Sequence, residues 1–302
     1  MADPFIITIA RVNVVVTSFI LRLSEDLDLS YRSFLSPLNS TAVSDVSIDI
    51  LPWSGENTRG IPKIFDSGES WSMHKQDNRY YISYNRPSAE SPFWIAKSNE
   101  EFTNITLFCN TDIAGYGQNP GFISNPVRYP LDQIILMYYL ARHGGILIHA
   151  SGIEINKNGY IFAGRSGAGK TTIAEQFIAR RYSELLSDDR VIIRETDNSF
   201  RVFGTPWPGK GGIARNLNIP LAGIFFLHHS ENNVIEQLDA RSALERILPV
   251  ASIPWYDPGR MDDILKTCGN LIAGVPAYLL HFRPDTDVVD ALEDFLSGTV
   301  RT

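Results

Sequence analysis

The chain reads as an α/β protein: a mixed α+β sheet flanked by helices, preceded by a β-rich N-terminal domain. Three observations carry that expectation. Up to about residue 125, aromatic and β-branched residues recur in short runs between turn signals. From Pro130 onward, strand-like and helix-like stretches alternate. Within that second stretch, the strand-like run Y-I-F-A leads through G-R-S-G-A-G-K-T into the amphipathic run T-T-I-A-E-Q-F-I-A. The change of texture divides the chain into residues 1–128, a β-rich domain with no assigned chemistry, and residues 129–302.

In chain order, the apolar run 5–21 reads as a strand, because Arg11 and Asn13 interrupt it too early for a membrane span. It also lacks the basic start and small-residue cleavage site of a signal peptide. Residues 79–85 and 104–110 read as short strands, and 54–60 and 115–121 as loops. Residues 131–143 form a helix, with Pro130 suited to its first turn and Gly144-Gly145 ending it. Strands are expected at 146–149, 152–155 and 160–163, with Lys157-Asn158-Gly159 as the turn between the last two. A helix follows from Lys170 to about residue 181. Further strands are expected at 184–187, 190–194, 200–203, 221–227 and 277–282, and helices at 240–248, 261–268 and 285–296.

Net charge is -7, with 44% hydrophobic and 20% charged residues. That is the profile of a globular protein, and its acidity argues against a nucleic-acid partner. Two distant cysteines, Cys109 and Cys268, supply neither a disulfide scaffold nor a zinc cluster, and read as buried thiols in a reducing cytoplasm.

Gly164, Arg165, Ser166, Gly167, Ala168, Gly169, Lys170 and Thr171 match G-x-x-x-x-G-K-[ST] in full, between a strand and a helix. Glycines let the backbone curl until successive N–H groups face phosphate oxygens. The helix that starts at Lys170, followed by Thr171 and Thr172, adds its positive end. Lys170 is expected to reach the β- and γ-phosphates of ATP, and the Thr171 hydroxyl to ligate Mg2+.

Such a site needs an acid nearby, and Asp188-Asp189 at the end of the strand E-L-L-S is the candidate pair. His149, ending the strand I-L-I-H, is by pattern alone more often structural than catalytic. His143, His228 and His229 show equally little by pattern. The segment G-T-P-W-P-G-K-G-G-I-A-R-N, residues 204–216, is too rich in glycine and proline for regular structure. It reads as a mobile loop bringing Lys210 and Arg215 to a phosphate.

The order H-A-S-G, strand, G-x-S-G-A-G-K-T, helix, S-D-D resembles the catalytic domain of the HPr kinase/phosphorylase-related kinases. The resemblance covers roughly residues 131–282 and is strongest from His149 to Asp189. It implies an HPr kinase-like P-loop nucleotide-binding domain, sharing its fold with phosphoenolpyruvate carboxykinases. It further implies that His149 lies beside the phosphates and assists the acid, with Asp188 as general base and Asp189 as metal ligand. The glycine-rich signature segment of the HPr enzyme, with its G-R-G-L start, is not recognisable, and the N-terminal half differs from that enzyme's. The chain therefore looks closer to the broader related group, which includes kinases of free serine and of modified peptides.

These readings converge on a cytoplasmic, ATP- and Mg2+-dependent kinase acting on a serine-type hydroxyl. The expected partners are a nucleoside triphosphate and a hydroxyl-bearing acceptor: a free serine-like molecule, a peptide or a carrier protein. Nucleic acid and membrane are not expected, and self-association stays open. Two alternatives stand beside it: a nucleotide-sensing protein without phosphotransfer, and a carboxykinase-like lyase, for which the required arginine and extra metal ligands are not identifiable.

Overall fold

The computed structural model describes residues 4–19, 22–23, 29–37, 43–68, 70–85, 91–110, 122–123, 125–179, 183–283 and 287–298. The chain divides into two compact units, Met1–Tyr139 with Trp255–Pro258, and Leu140–Pro254 with Gly259–Thr302. The division therefore falls inside a helix rather than at the change of texture near residue 128.

The first unit holds β1 (Phe5–Ile9), β2 (Val12–Ser18), β3 (Arg22–Leu23), β4 (Leu35–Pro37), β5 (Val46–Pro52), β6 (Lys63–Asp66), β7 (Trp71–Gln76), β8 (Arg79–Tyr84), β9 (Trp94–Ser98), β10 (Asn104–Cys109) and β11 (Phe122–Ile123). Nine of these form one mixed sheet in the order β4-β1-β2-β5-β10-β9-β8-β7-β6. The run 5–21 is thus two strands, because Ala10 and Arg11 both take left-handed φ and close a two-residue hairpin with Ile9 opposite Val12. β5 alternates buried Val46, Ile48 and Ile50 with more exposed neighbours, the period-2 signature of a sheet with one covered face. Helix α1 (Leu131–Arg142) buries Leu131, Ile134, Ile135 and Tyr138, and Tyr138 stacks on Phe102 at 4.3 Å. Asp257, returned to this unit from the far end of the sequence, is buried where Tyr80 Oη donates to it at 2.5 Å. Lys75 lies 3.6 Å from its other oxygen, so the buried carboxylate is both paired and hydrogen-bonded. The expected loop at 115–121 lies outside the described residues.

The second unit holds β12 (Gly145–Ile155), β13 (Asn158–Ala163), β14 (Ser183–Ser187), β15 (Arg190–Thr196), β16 (Ser199–Phe203), β17 (Asn218–His229), β18 (Val234–Gln237) and β19 (Ala277–Phe282). Its helices are α2 (Lys170–Ala179), α3 (Ala240–Ile247), α4 (Pro258–Gly274) and α5 (Asp287–Ser297). The expected strands 146–149 and 152–155 are one continuous strand. The β12–β13 turn is Asn156-Lys157, one residue before the expected tripeptide, with φ of 52° and 65°. Asn158 and Gly159 instead start β13, since a turn with two left-handed residues best matches the twist of the strands it joins.

The first half of β12 pairs with β15, and its second half with β14. From Ala150 onward it also pairs with β13. β13 pairs with β17 as well, so the path β12-β15-β16-β17-β13 closes on itself. β13, β17 and β19 are parallel, which brings the ends Ala163, His229 and Phe282 to one edge. Beneath that edge, Phe162, Phe225 and Tyr278 stack at centroid distances of 5.3 and 5.1 Å. Ile173 and Phe177 of α2 and Val288, Val289 and Leu292 of α5 close this core. Cys109 and Cys268 are free and buried.

Phe162 ends the stack, also meets the Phe177 ring, and is fully buried. Phe162→Ala should lower the free energy of unfolding by about 3–5 kcal/mol, the sum of lost transfer energy and a residual cavity. Urea unfolding followed by far-UV circular dichroism checks it.

Candidate functional site

The glycine-rich turn leaves β13 at Ala163 and enters α2 at Lys170. Gly167 and Gly169 have φ of 83° and 96°, which only glycine adopts without strain. A Cβ on Gly169 would also stand 2.5 Å from the Phe282 ring, and one on Gly164 would stand 2.6 Å from the Ala168 Cβ. The Ala168 N–H donates to the Arg165 carbonyl at 3.1 Å, and His229 Nε2 to the Gly167 carbonyl at 3.2 Å. Arg165 and Ser166 are exposed at the tip, while Ala168, Thr171 and Thr172 are half-buried.

Lys170 is buried, at 6% exposure, which is rare for lysine. Its ammonium donates to the carbonyls of Gly164 at 2.8 Å and Arg165 at 3.1 Å, so it curls back into the turn. Burial pushes its pKa down, and the nearby Arg190 adds to this while Asp189 opposes it. Lys170, Asp189 and Arg190 thus act on one another electrostatically.

The two aspartates have opposite environments. Asp188 is buried, and its carboxylate accepts three backbone N–H groups: Gly209 at 2.8 Å, Gly211 at 2.6 Å and Ile213 at 3.3 Å. Asp189 is half-buried, and its Oδ1 accepts from His149 Nε2 at 2.8 Å while Oδ2 lies 3.6 Å from Arg190 Nε. The hydrogen bond from His149 is the main reason the Asp189 carboxyl titrates below its ordinary value. Burial works against this, and the charges of His149, Arg190 and Lys170 add to it. The histidine expected beside Asp188 pairs with the next residue, because His149 lies opposite Arg190 in the β12–β15 ladder and so stands next to Asp189 in the bend between β14 and β15. The backbone that presents the pair is anchored from beneath. Ser151 Oγ donates to the Asp188 carbonyl at 3.1 Å, and the N–H groups of Asp189 and Arg190 reach Ser187 Oγ at 3.5 and 3.4 Å.

The segment 204–216 is fastened rather than loose. Gly204 N–H donates to Leu217, Arg215 N–H donates to Leu186, and Ala214 bridges Ser187. A side chain at Gly204 has no room, since a Cβ would stand 2.1 Å from the Arg215 carbonyl oxygen. Lys210 is exposed between the two glycines that hold Asp188. The Arg215 guanidinium stands 3.6 Å from the Glu184 carboxylate, on the strand leading to the aspartates.

Lys170, His149, Asp188 and Asp189 are thus gathered where β12 changes partners, at the start of α2 and in the bend after β14. Arg190 and the His229–Phe282 pair, with tilted rings at 5.0 Å, belong to the same surroundings and were not singled out by the sequence. His229 carries no pattern, but Arg190 directly follows the acid pair and is the signal that could have been read. Among the described residues, no group of three or more His, Cys, Asp or Glu side chains is arranged to hold a metal ion. No helix among them is long and apolar enough to cross a membrane.

The second unit is a mixed α/β domain carrying a glycine-rich strand-to-helix turn beside a His–Asp pair. The model of the family described as SynChlorMet cassette protein ScmC matches residues 130–282, half of the chain, and the chain belongs to that family. The description names no reaction. The Hpr(Ser) kinase/phosphatase from Coxiella burnetii is a structural match at 15% identity, over 50% of this chain and 95% of that one. Its TM-score of 0.32 does not establish a common fold. No curated protein matches the chain.

The lowered pKa of Asp189 fixes a sign. Its ionised form contributes stability that is fully present above the ordinary value of 3.8 and lost as pH falls through the lower folded value. His149→Ala removes the main cause, so the Asp189 carboxyl should titrate closer to 3.8, as carbon-detected NMR would show.

Proposed function

We propose that the second unit binds a nucleoside triphosphate with magnesium and transfers its γ-phosphate to a serine-type hydroxyl. One arrangement supports this above all: a buried lysine curled into a glycine turn, electrostatically coupled to a half-buried aspartate that a histidine holds ionised. The parallel strands β13 and β17 end at this turn, the edge of an α/β sheet where ligands generally bind.

In this reading the amides of residues 164–169 and the start of α2 cradle the phosphates. Lys170 would exchange the Gly164 and Arg165 carbonyls for β- and γ-phosphate oxygens, since charge-assisted bonds are about twice as strong as neutral ones. The Thr171 hydroxyl is a hard oxygen donor suited to magnesium, which takes few protein ligands when phosphates supply the rest. The bound ion would neutralise charge on the phosphates.

The base is assigned to Asp189 rather than Asp188. Asp188 is enclosed by three amides, whereas Asp189 is half-buried and ionised. Asp189 accepts the proton as the acceptor oxygen bonds to the γ-phosphorus. The bond from that phosphorus to the β–γ bridging oxygen breaks, and a nucleoside diphosphate leaves. His149 orients and charges the carboxylate, and Arg190 adds positive charge beside it. The sequence order of H-A-S-G, glycine turn and S-D-D supports the same class of reaction.

A nucleotide sensor would need the glycine turn and Lys170 but no ionised acid beside them. The two readings separate by experiment. The wild-type protein with γ-labelled ATP and free serine, threonine, serine peptides or HPr should pass label to one of these acceptors. Mg-ATP at 100 times its dissociation constant should stabilise the protein by about 2.7 kcal/mol in a thermal shift assay, and Lys170→Ala should remove that shift. Asp189→Asn should keep the shift and lower turnover at least about 100-fold. A shift without transfer of label to any acceptor would leave the sensor.

A further inference from the structure

Asp188 is buried and its carboxylate is saturated by the chain itself, which is unusual for an acid in a reaction site. The three N–H groups converge on it from residues 209, 211 and 213, so one carboxylate sets the path of five residues. Two of those positions are glycines, where a side chain would collide with the carboxylate at 211 and crowd it at 209. A Cβ on Gly211 would stand 2.7 Å from Asp188 Oδ2. A Cβ on Gly209 would stand 3.0 Å from that oxygen and 3.0 Å from the Asp189 Cβ. The loop therefore lies directly against the residue that carries the base, on another segment than the glycine turn that holds Lys170. The turn is closed by Gly212 N–H donating to the Gly209 carbonyl at 3.2 Å, with Gly212 at φ 70°.

We infer that Asp188 is a positioning residue that clamps Gly209–Ile213 against Asp189 to form the wall on which the hydroxyl acceptor is oriented. The inference rests on the kinase reading of the site and assigns Asp188 a role on the acceptor side, apart from the nucleotide. An ionised carboxylate is needed for it, because three N–H donors require an acceptor-only partner. Asn at the position turns one acceptor oxygen into a donor and must release at least one amide. Ala at position 211 leaves Asp188 intact but drives a Cβ into its oxygen, so both changes should loosen the same wall.

The test compares Asp188→Asn and Gly211→Ala with the wild type in the full chain. Hydrogen exchange at residues 209–213 should accelerate at least about tenfold in both variants, as buried amides lose their acceptor. Stabilisation by Mg-ATP should be unchanged. With free serine and a serine-containing peptide as acceptors, the acceptor KM should rise at least about tenfold in both, while the KM for ATP stays within about twofold. A fall in kcat of about 100-fold at unchanged acceptor KM in Asp188→Asn, with Gly211→Ala behaving as wild type, would make Asp188 the base and overturn the inference. Unchanged exchange at 209–213 in Asp188→Asn would also overturn it, whatever the activity. Failure of the wild type to label any acceptor would instead fall on the kinase reading, with the exchange result still deciding whether Asp188 holds the loop.

Discussion

The site depends on the divided pairing of β12. One strand of eleven residues pairs with β15 through His149, then with β13 and β14 from Ala150 and Gly152 onward. At that change of partners three connections must leave together: the glycine turn after β13, the aspartates after β14 and the segment 204–216 after β16. His149 is the last residue paired to β15, and Ala150 is opposite Ala163, the last residue of β13. The histidine thus reaches Asp189 with no loop of its own to order. Chemistry gathered on strand ends is held more tightly than chemistry carried on long loops, because the backbone there is already fixed by ladder bonds. The strand also supplies Ser151, whose buried hydroxyl grips the carbonyl of Asp188 from below.

Charge in this small volume follows from that geometry. A buried ammonium loses solvation that must be replaced, and Lys170 replaces it with two carbonyls and a neighbouring carboxylate. Asp189 lies between His149, Arg190 and Lys170, and its lowered pKa records how strongly that company favours the ionised form. Asp188 keeps its formal charge while three backbone amides hydrogen-bond it. Lys170 and Arg190 still place two cations beside the glycine turn, local partners for a polyphosphate in a chain whose net charge is -7.

Much of this was legible in the sequence where the signal is local. The strand, glycine turn and helix around Lys170 follow from residues in direct succession, as do the helix at 131–142 and the strand at 277–282. What escaped was set by partners far along the chain. β7 and β9 alternate weakly in sequence and are defined by the strands paired on either side, whereas β5 alternates plainly in V-S-I-D-I and was legible. The turn at Asn156-Lys157 was displaced by one residue, since Asn-Gly at 158–159 is the stronger local turn signal and strand register overrode it. Asp188 and Asp189 are adjacent in sequence but take different partners. Only the position of Gly209, Gly211 and Ile213, more than twenty residues away, shows which of the two is enclosed. Arg215 carried charge in a suggestive place, yet the return of the loop along β14 hands it to Glu184.

The contrast between the two acids bears on which class of function fits. A protein that only senses a nucleotide needs phosphate recognition and a part whose arrangement changes on binding. It gains nothing from a histidine bonded to a half-buried carboxylate beside the lysine, and burying such charge opposes folding unless it is paired. Here the pairing is complete: His149 on one oxygen, Arg190 near the other, Lys170 within electrostatic range. The neighbouring acid is enclosed by backbone amides and locks a glycine-rich wall in place. One carboxylate that stays ionised and half-open, next to one that is wholly consumed by structure, is a division of labour between chemistry and positioning. Site organisation of that kind is expected where a reacting hydroxyl must be aligned with a phosphorus atom, because phosphoryl transfer is governed by positioning and electrostatics more than by covalent work from the protein.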